Sequence, residues 1–171
     1  VRLVEPSAAP AGVTEPQYTV TEQEFTSTGR LQKKIENRCD PNPNMRRETR
    51  YQHQYGRLVS MTATRTNVQV AGNKEETSLT YGADIVDADF QRVSRNNGLI
   101  GLVQFPDEST GQASGSHDLV RISYNFAGQV AEREDARGVV FRYRYDDLGR
   151  LASVQVGHYV AGGVFVPAYP D

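Results

Sequence analysis

The sequence predicts an all-β protein, an antiparallel sheet of successive β-hairpins. Short segments rich in Val, Thr and aromatic residues alternate between apolar and polar positions, as half-buried strands do. In the C-terminal part of the chain a turn signal recurs every 10 to 11 residues. No segment combines helical apolar spacing with a capping residue and good helix formers. These three observations favour strands throughout.

The clearest repeat lies between residues 124 and 156. One pattern occurs twice, 21 residues apart: an aromatic residue, Asn or Asp, two variable residues, Gly, a polar residue and an aliphatic one. A shorter Asp-x-x-Gly signal falls between the two copies. Turns recurring at this spacing indicate repeated hairpins. The residues of the pattern are Tyr124, Asn125, Gly128, Gln129 and Val130, then Asp135 and Gly138, then Tyr145, Asp146, Gly149, Arg150 and Leu151.

Each position of the pattern has a physical role. Glycine adopts positive φ without the cost that a Cβ atom brings. Asn or Asp accepts a hydrogen bond from the backbone two residues on, which pre-forms the turn. The aromatic ring at the strand end covers its cross-strand neighbour, and the aliphatic residue returns the chain to the buried face. The pattern therefore builds turns and contains no nucleophile or matched acid and base.

The N-terminal half is predicted to hold weaker copies of the same unit. Residues 1–16 contain three prolines and read as a linker or edge segment. We expect one β domain over 17–171, with early strands at 17–25, 30–36, 49–55, 58–70 and 75–81. The degenerate motif copies are Phe25, Gly29, Arg30 and Leu31, then Tyr55, Gly56, Arg57 and Leu58.

The middle of the chain departs from the repeat. Residues 82–89 interrupt the pattern. Strands at 90–94 and 99–105 flank Asn96-Asn97-Gly98, and Asn-Gly suits a type I′ hairpin turn. A polar loop insertion is predicted near 106–118, and a last hairpin near Gly162-Gly163.

The alternation in 119–145 predicts two faces for the sheet. Arginines and aromatic residues then lie on opposite faces, so Arg142 and Arg144 are expected to pair with charges across strands. Stacking on bases or sugars is the alternative use. One face is predicted to hold Val120, Ile122, Tyr124 and Phe126, and, in a later strand, Val139, Phe141, Tyr143 and Tyr145.

Composition excludes several classes of function. Lysine and arginine number 19 against 21 acidic residues, a net charge of −2, which gives no broad attraction to nucleic acid. No apolar run approaches the roughly 20 residues of a membrane span. Cys39 is the single cysteine, so the chain has no internal disulfide, and an idle thiol is expected. Because the chain begins with Val, we expect it to be a piece of a longer protein.

Residues that could support chemistry are scattered. Asp84, Asp87 and Asp89 suit either a solvated acidic turn, which we favour, or a hard cation such as Ca²⁺. The histidines lack metal-ligand spacing, and the adjacency of Ser116, His117 and Asp118 is no evidence for a triad. The sequence therefore predicts no metal, no cofactor and no catalytic residue.

The stretch Tyr145-Asp146-Asp147-Leu148-Gly149-Arg150-Leu151 resembles the YD repeat of RHS proteins. The stretch from Asp135 to Asp146 resembles the D-x-x-G-…-Y-x-Y-D linkage of the same family. The resemblance implies a β-hairpin ribbon coiled into a hollow shell. That shell encloses a toxin in bacterial RHS toxins and insecticidal complexes, and forms an adhesion scaffold in teneurins. This chain is shorter than a complete shell. It also lacks the family's self-cleaving D-P-x-G-x-x-x-x-D-P-x-G site, so no catalytic residue is carried over.

Three hypotheses about function follow. The first is a non-catalytic structural segment of a shell that encloses or displays a cargo such as a toxin, in a secreted or cell-surface protein. The second is a surface adhesion or carbohydrate-binding module that uses a tyrosine-bearing face. An enzyme is the third and has the least support. The expected partners are the remainder of the parent chain or a second copy, joined through unpaired sheet edges, together with an enclosed protein cargo or a surface glycan.

Overall fold

The computed structural model describes residues 21–36, 47–65 and 74–168, and these residues form strands and turns without a helix. The predicted all-β fold of successive hairpins is confirmed. Within the described ranges no helix has the length and apolarity that crossing a membrane requires. The predicted linker at 1–16 and Cys39 lie outside the described residues. The strands are Glu22–Phe25 (β1), Leu31–Glu36 (β2), Arg47–Gln54 (β3), Arg57–Arg65 (β4), Lys74–Val86 (β5), Arg92–Gln104 (β6), Leu119–Tyr124 (β7), Val130–Glu134 (β8), Val140–Tyr145 (β9), Leu151–Val160 (β10) and Val164–Pro167 (β11).

The strands are neighbours in chain order, from β1 to β11, in one sheet. Consecutive strands pair antiparallel, as short hairpin connections require. The chain forms two compact units. Of the described residues, the first unit comprises those up to Thr77 together with Pro106–Ala113, and the second comprises Ser78–Phe105 and those from Ser114 onward.

The predicted hairpin turn at Asn96-Asn97-Gly98 is wrong. Strand β6 runs unbroken through these residues, and Gly98 lacks the positive φ that a type I′ turn needs. The hairpin instead turns after Asp87. Its carboxylate oxygen Oδ1 accepts hydrogen bonds from the backbone N–H groups of Asp89 and Gln91, both 2.9 Å long, and so fixes the turn there.

In the second unit the hairpin β5–β6 changes strand order along its length. At its base, Leu102 of β6 pairs with β5 on one side and with Arg121 of β7 on the other. Farther out, Ile85 of β5 pairs with β6 and also, in parallel, with Tyr124 of β7. Strands β5 and β6 therefore exchange places, and we call the outer part, residues 83–98, the arm.

Two glycines allow this exchange. Gly82 has a φ of 103°, which residues with a Cβ atom rarely adopt. A Cβ atom on Gly101 would lie 2.9 Å from the Cα atom of Ala83, so β5 and β6 approach each other too closely for any larger residue. Beyond this point Ala83, Ile85 and Val86 of β5 are buried, with Ala83 at 1% exposure. The facing segment of β6 is exposed throughout residues 92–98.

The core is thin and follows the arm. Val86 and Phe90 of the arm cluster with Ala131 of β8. Phe126, predicted to lie on the apolar face, is 76% exposed, because β7 ends at Tyr124 and Phe126 belongs to the next turn. The buried apolar side chains found among the described residues all lie in the second unit: Ala83, Ile85, Val86, Phe90, Leu119, Val120, Ala131 and Val140.

The chain's last described hairpin follows the prediction. Val160 pairs with Val164, and the loop between them contains Gly162 and Gly163, with φ of 88° and 75°. Gly157 lies opposite Pro167 in the same hairpin. Tyr159 of β10 pairs with Phe165 of β11, and their rings make an edge-to-face contact with centroids 6.1 Å apart.

Candidate functional site

The predicted motif residues form one hydrogen-bonded turn that recurs along the chain. In the turn that begins at Asp146, the Asp146 N–H donates to the Arg150 carbonyl at 2.9 Å, and the Gly149 N–H donates to the Asp146 carbonyl at 2.8 Å. The Asp146 Oδ1 atom accepts from the Arg150 N–H at 2.9 Å. The same three bonds close the turns that begin at Thr26, Asn125 and Asp135. In all four, the glycine has a φ of 75° to 79°.

A fifth copy of the turn replaces glycine with phenylalanine. Asp87 makes the same backbone and side-chain bonds to Phe90 and Gln91, with lengths of 2.9 to 3.1 Å. Phe90 has a φ of 61°, where a Cβ atom costs about 1–2 kcal/mol. Residues 82–89 therefore continue the repeat that the sequence pattern showed as interrupted. The missing glycine concealed this copy.

The motif tyrosines use their hydroxyl groups inside the sheet. The Tyr124 hydroxyl donates to the carbonyl of Ile100 at 3.2 Å, and the Tyr145 hydroxyl donates to the carbonyl of Val130 at 2.9 Å. Burial raises the pKa of both hydroxyls. Each tyrosine thus ties its strand end to another strand. Tyr143, by contrast, pairs with Val154 within hairpin β9–β10.

The two degenerate copies in the first unit differ from each other, because the Phe25 copy closes with the turn that begins at Thr26 and the Tyr55 copy does not. Tyr55 and Gly56 have φ of 49° and 82°, a two-residue turn with Arg57 and Leu58 opening β4. Tyr55 is 94% exposed. Phe25 closes β1 opposite Leu31, next to a bulge.

The aliphatic position of the copy that begins at Tyr145 is not buried. Leu151 is 55% exposed, because it leaves the turn at the start of β10, so the expected burial of this position is wrong there.

The residue after a turn glycine reaches the glycine of a later turn. The Gln129 side-chain amide donates to the Gly149 carbonyl at 2.8 Å, and its nitrogen would lie 3.3 Å from a Cβ atom at Gly149. In the first unit, the Arg30 guanidinium would lie 2.8 Å from a Cβ atom at Gly56. These glycines therefore serve the turn and also leave space for a neighbouring turn.

An arginine cluster joins the arm to the C-terminal hairpins of the second unit. The Arg142 Nε atom donates to the Glu132 carboxylate at 2.8 Å, so Arg142 pairs across strands as the alternation predicted. The Arg142 side chain is only 14% exposed and that of Glu132 17%. The guanidinium carbon lies 4.4 Å from the ring centroid of Phe90 and 3.9 Å from that of Phe165, within the range of cation–π attraction.

Tyr159 closes this cluster. Its hydroxyl lies 2.8 Å from both oxygens of Glu132 and accepts from Arg142 at 3.1 Å. Burial raises the pKa of Tyr159; Arg142 opposes the shift and Glu132 reinforces it. The carboxylate is thus occupied by a guanidinium and a phenol, which makes it a structural anchor. Arg144 adds a bond from its guanidinium to the Ala88 carbonyl at 3.0 Å.

The sequence prediction missed Glu132, Phe90, Tyr159 and Phe165 as members of this cluster. Glu132 could have been found, since it lies symmetrically opposite Arg142 about the predicted turn at Asp135–Val139. The aromatic partners could not, because they come from the arm and from β10 and β11, whose placement depends on the strand exchange and on Gly157.

Residues 124–158 match the sequence family described as RHS Repeat. The chain carries an RHS repeat. The matched range includes three of the four glycine turns, both motif tyrosines and the Arg142–Glu132 pair. These features are therefore the internal structure of the repeat.

Comparison with solved structures returns TcdB2-TccC3 without its hypervariable C-terminal region. The sequence identity is 12% and the TM-score is 0.35, over 86% of this chain and 8% of that one. The chain thus spans about 8% of the length of that structure. No curated protein sequence matches the chain.

A pocket of about 520 Å³ lies in the second unit, beside the strand exchange. Its charged groups are engaged with one another: Arg121 contacts Glu134 at 3.0 Å, and Arg95 contacts Asp84 at 3.1 Å. The Ser123 hydroxyl is buried in the pocket wall and has no hydrogen-bond partner. Tyr159 lines the same pocket.

The acidic residues near the arm take separate roles. One oxygen of Asp84 accepts a hydrogen bond from Arg95 at 3.1 Å and forms an ion pair with Arg92 at 3.2 Å. Asp87 closes the turn. In the described part of the chain no three His, Cys, Asp or Glu residues come together as metal ligands. Because Asp84 is paired with arginines and Asp87 with backbone N–H groups, these carboxylates favour the solvated acidic turn over a cation site.

The turn carboxylates are electrostatically tuned. The backbone N–H and guanidinium of Arg150 lower the pKa of Asp146. For Asp135, burial raises the pKa, but donation from the Val139 and Arg137 N–H groups outweighs burial and lowers it. In the loop predicted as an insertion, Asp107 accepts from Ser109 and Thr110, which lowers its pKa to about 2. All three are therefore stabilised as carboxylates.

Proposed function

We propose that the chain is a non-catalytic structural segment of a larger RHS-repeat assembly. It contributes hairpins to a sheet wall that encloses or displays a cargo such as a toxin, in a secreted or cell-surface protein. The observation that carries the proposal is the recurrence of one turn with the same three hydrogen bonds. The Asn, Asp and Thr side chains of the motif form hydrogen bonds within the turn. This arrangement suits a structural wall better than a reaction site.

The sheet edges support a role within a larger sheet. Among the described residues, β1 pairs with β2 alone and β11 with β10 alone. Val164 and Val166 of β11 are 60% and 37% exposed. Edge strands with exposed apolar side chains recruit further strands. Neighbouring hairpins of the parent chain are the partners that fit.

Limited proteolysis of the natural parent protein tests the proposal. If the repeats form a wall, an enclosed polypeptide resists protease in buffer and is cleaved once urea opens the sheet. A parent protein whose segments are all cleaved at similar rates without urea would show that nothing is enclosed.

A surface-binding role is the second candidate, favoured by one observation. The pocket beside Tyr159 offers an aromatic ring, paired charges and the unpartnered Ser123 hydroxyl. Such a lining suits a neutral polar ligand such as a surface glycan. A glycan array probed with the wild-type protein and with a Ser123→Val variant tests this role, which requires binding that the variant weakens.

A further inference from the structure

The outer side of the arm is a continuous exposed strand edge. Seven consecutive residues of β6, from Arg92 to Gly98, are all exposed. Among the described residues, its part from Arg92 to Asn96 pairs only with β5, for example Ser94 with Ile85 and Asn96 with Ala83. The exchange of strand order places it outermost, since β5 lies next to β7 there. Its outward N–H and C=O groups are therefore open to another strand.

The charge along this edge is distinctive. The Arg92 and Arg95 side chains are 59% and 60% exposed, and both contact one oxygen of Asp84. Two guanidinium groups thus share a single carboxylate, which leaves a local positive charge in a protein whose net charge is −2. Asp89, exposed at the tip of the arm, places a negative charge there. A partner's negative groups must therefore lie opposite the two arginines and away from the tip.

These charges select against a second copy of the chain. Two arms edge to edge would bring four guanidinium groups together against two Asp84 carboxylates, which is repulsive. An extended segment with carboxylate side chains meets the arginines favourably. It also supplies the backbone groups that the edge needs.

We propose that the outer edge of the arm, residues 92–96, binds an extended acidic polypeptide segment as an added β-strand. Backbone pairing supplies affinity, and carboxylates opposite Arg92 and Arg95 supply specificity. This binding activity is additional to the structural role and does not depend on it. Its failure would leave the wall proposal standing.

The test uses the whole chain and a short fluorescent peptide in which glutamate alternates with valine, measured by anisotropy. We expect saturable binding, with slower amide exchange at residues 92–96. A peptide with lysine in place of glutamate, and one with N-methylated backbone amides, should each bind at least about tenfold more weakly. Equal binding of the N-methylated peptide would overturn strand addition.

Matched variants separate the edge from general electrostatics. The double substitution Arg92→Gln and Arg95→Gln should weaken the glutamate peptide at least about tenfold. Arg133→Gln with Arg137→Gln changes the net charge equally on exposed positions of the second unit and should have little effect. An equal loss in both double variants would overturn the proposal. So would a wild-type protein that binds no peptide while the Arg92 and Arg95 double variant self-associates, because the arginines would then only protect the edge.

Discussion

At the scale of single residues, two turn glycines with the same φ should differ in their tolerance of a side chain. Gly128 and Gly149 have φ of 79° and 75°, so alanine at either position costs about 1–2 kcal/mol. At Gly128 a Cβ atom meets open space, but at Gly149 it presses on the Gln129 amide. We therefore expect Gly149→Ala to cost about 0.5–1.5 kcal/mol more than Gly128→Ala in urea unfolding, the net value of one hydrogen bond.

Gln129→Ala supplies the control for this comparison. In that background the hydrogen bond to Gly149 is already absent, so the two alanine variants should lose equal free energy of unfolding. A difference that persists without the Gln129 side chain would mean that the turn-to-turn contact is not its cause.

At position 90, we expect a glycine variant to be more stable than an alanine variant, the reverse of the usual order of stability. Both Phe90→Ala and Phe90→Gly lose the ring that packs on Val86, Ala131 and Arg142, a loss of about 3–5 kcal/mol. Alanine keeps the strain of positive φ, whereas glycine relieves it. We expect the glycine variant to be the more stable of the two by about 1 kcal/mol in urea unfolding. Alanine as the more stable variant would contradict the turn geometry at Phe90.

The turn carboxylates predict an acid-sensitive stability. Their pKa values are lowered in the folded state, so their stabilisation is present above the unfolded value near 3.8 and is lost as pH falls through the folded values, down to about 2 at Asp107. Asp135→Asn with Asp146→Asn keeps a side-chain acceptor, as Asn125 shows, and removes the charge. The free energy of unfolding should fall less between pH 4 and pH 2 in this variant. Parallel pH profiles would contradict the assignment.

At the scale of elements, Gly157 determines whether β11 can pack on β10. A Cβ atom at Gly157 would collide with the Val166 carbonyl oxygen and lie 2.6 Å from the Phe165 ring. Gly157→Ala should therefore displace β11, remove Phe165 from Arg142 and cost at least about 1–3 kcal/mol. Gly115→Ala, where a Cβ atom meets open space without positive φ, should change stability by less than about 0.5 kcal/mol. Equal stabilities of the Gly157→Ala and Gly115→Ala variants in thermal unfolding would refute the close contact at Gly157.

Some of these elements could be predicted from the sequence, and others could not. Strand alternation and the Asp-x-x-Gly turns depend on neighbours in sequence, so hairpins β7–β8, β8–β9 and β9–β10 follow from local chemistry. The arm does not, because its order depends on a close approach at Gly101 and a strained turn at Phe90 that no local rule favours. The Asn-Gly signal in β6 failed for the same reason, since tertiary pairing with β5 overrode an intrinsic turn preference.

At the scale of the whole molecule, we expect assembly to take place at the sheet edges. The thin core and the net charge of −2 give little other basis for association. Substituting lysine for Val164 and Val166 places charges on the exposed edge strand β11, the device by which natural sheets prevent pairing.

Sedimentation velocity over a concentration series tests the central claim most directly. If the chain is a segment of a larger RHS-repeat sheet, the isolated wild-type protein self-associates as concentration rises. The Val164→Lys and Val166→Lys double variant should then remain monomeric over the same range. A wild-type protein that stays a monodisperse monomer throughout, with no partner, would contradict the account.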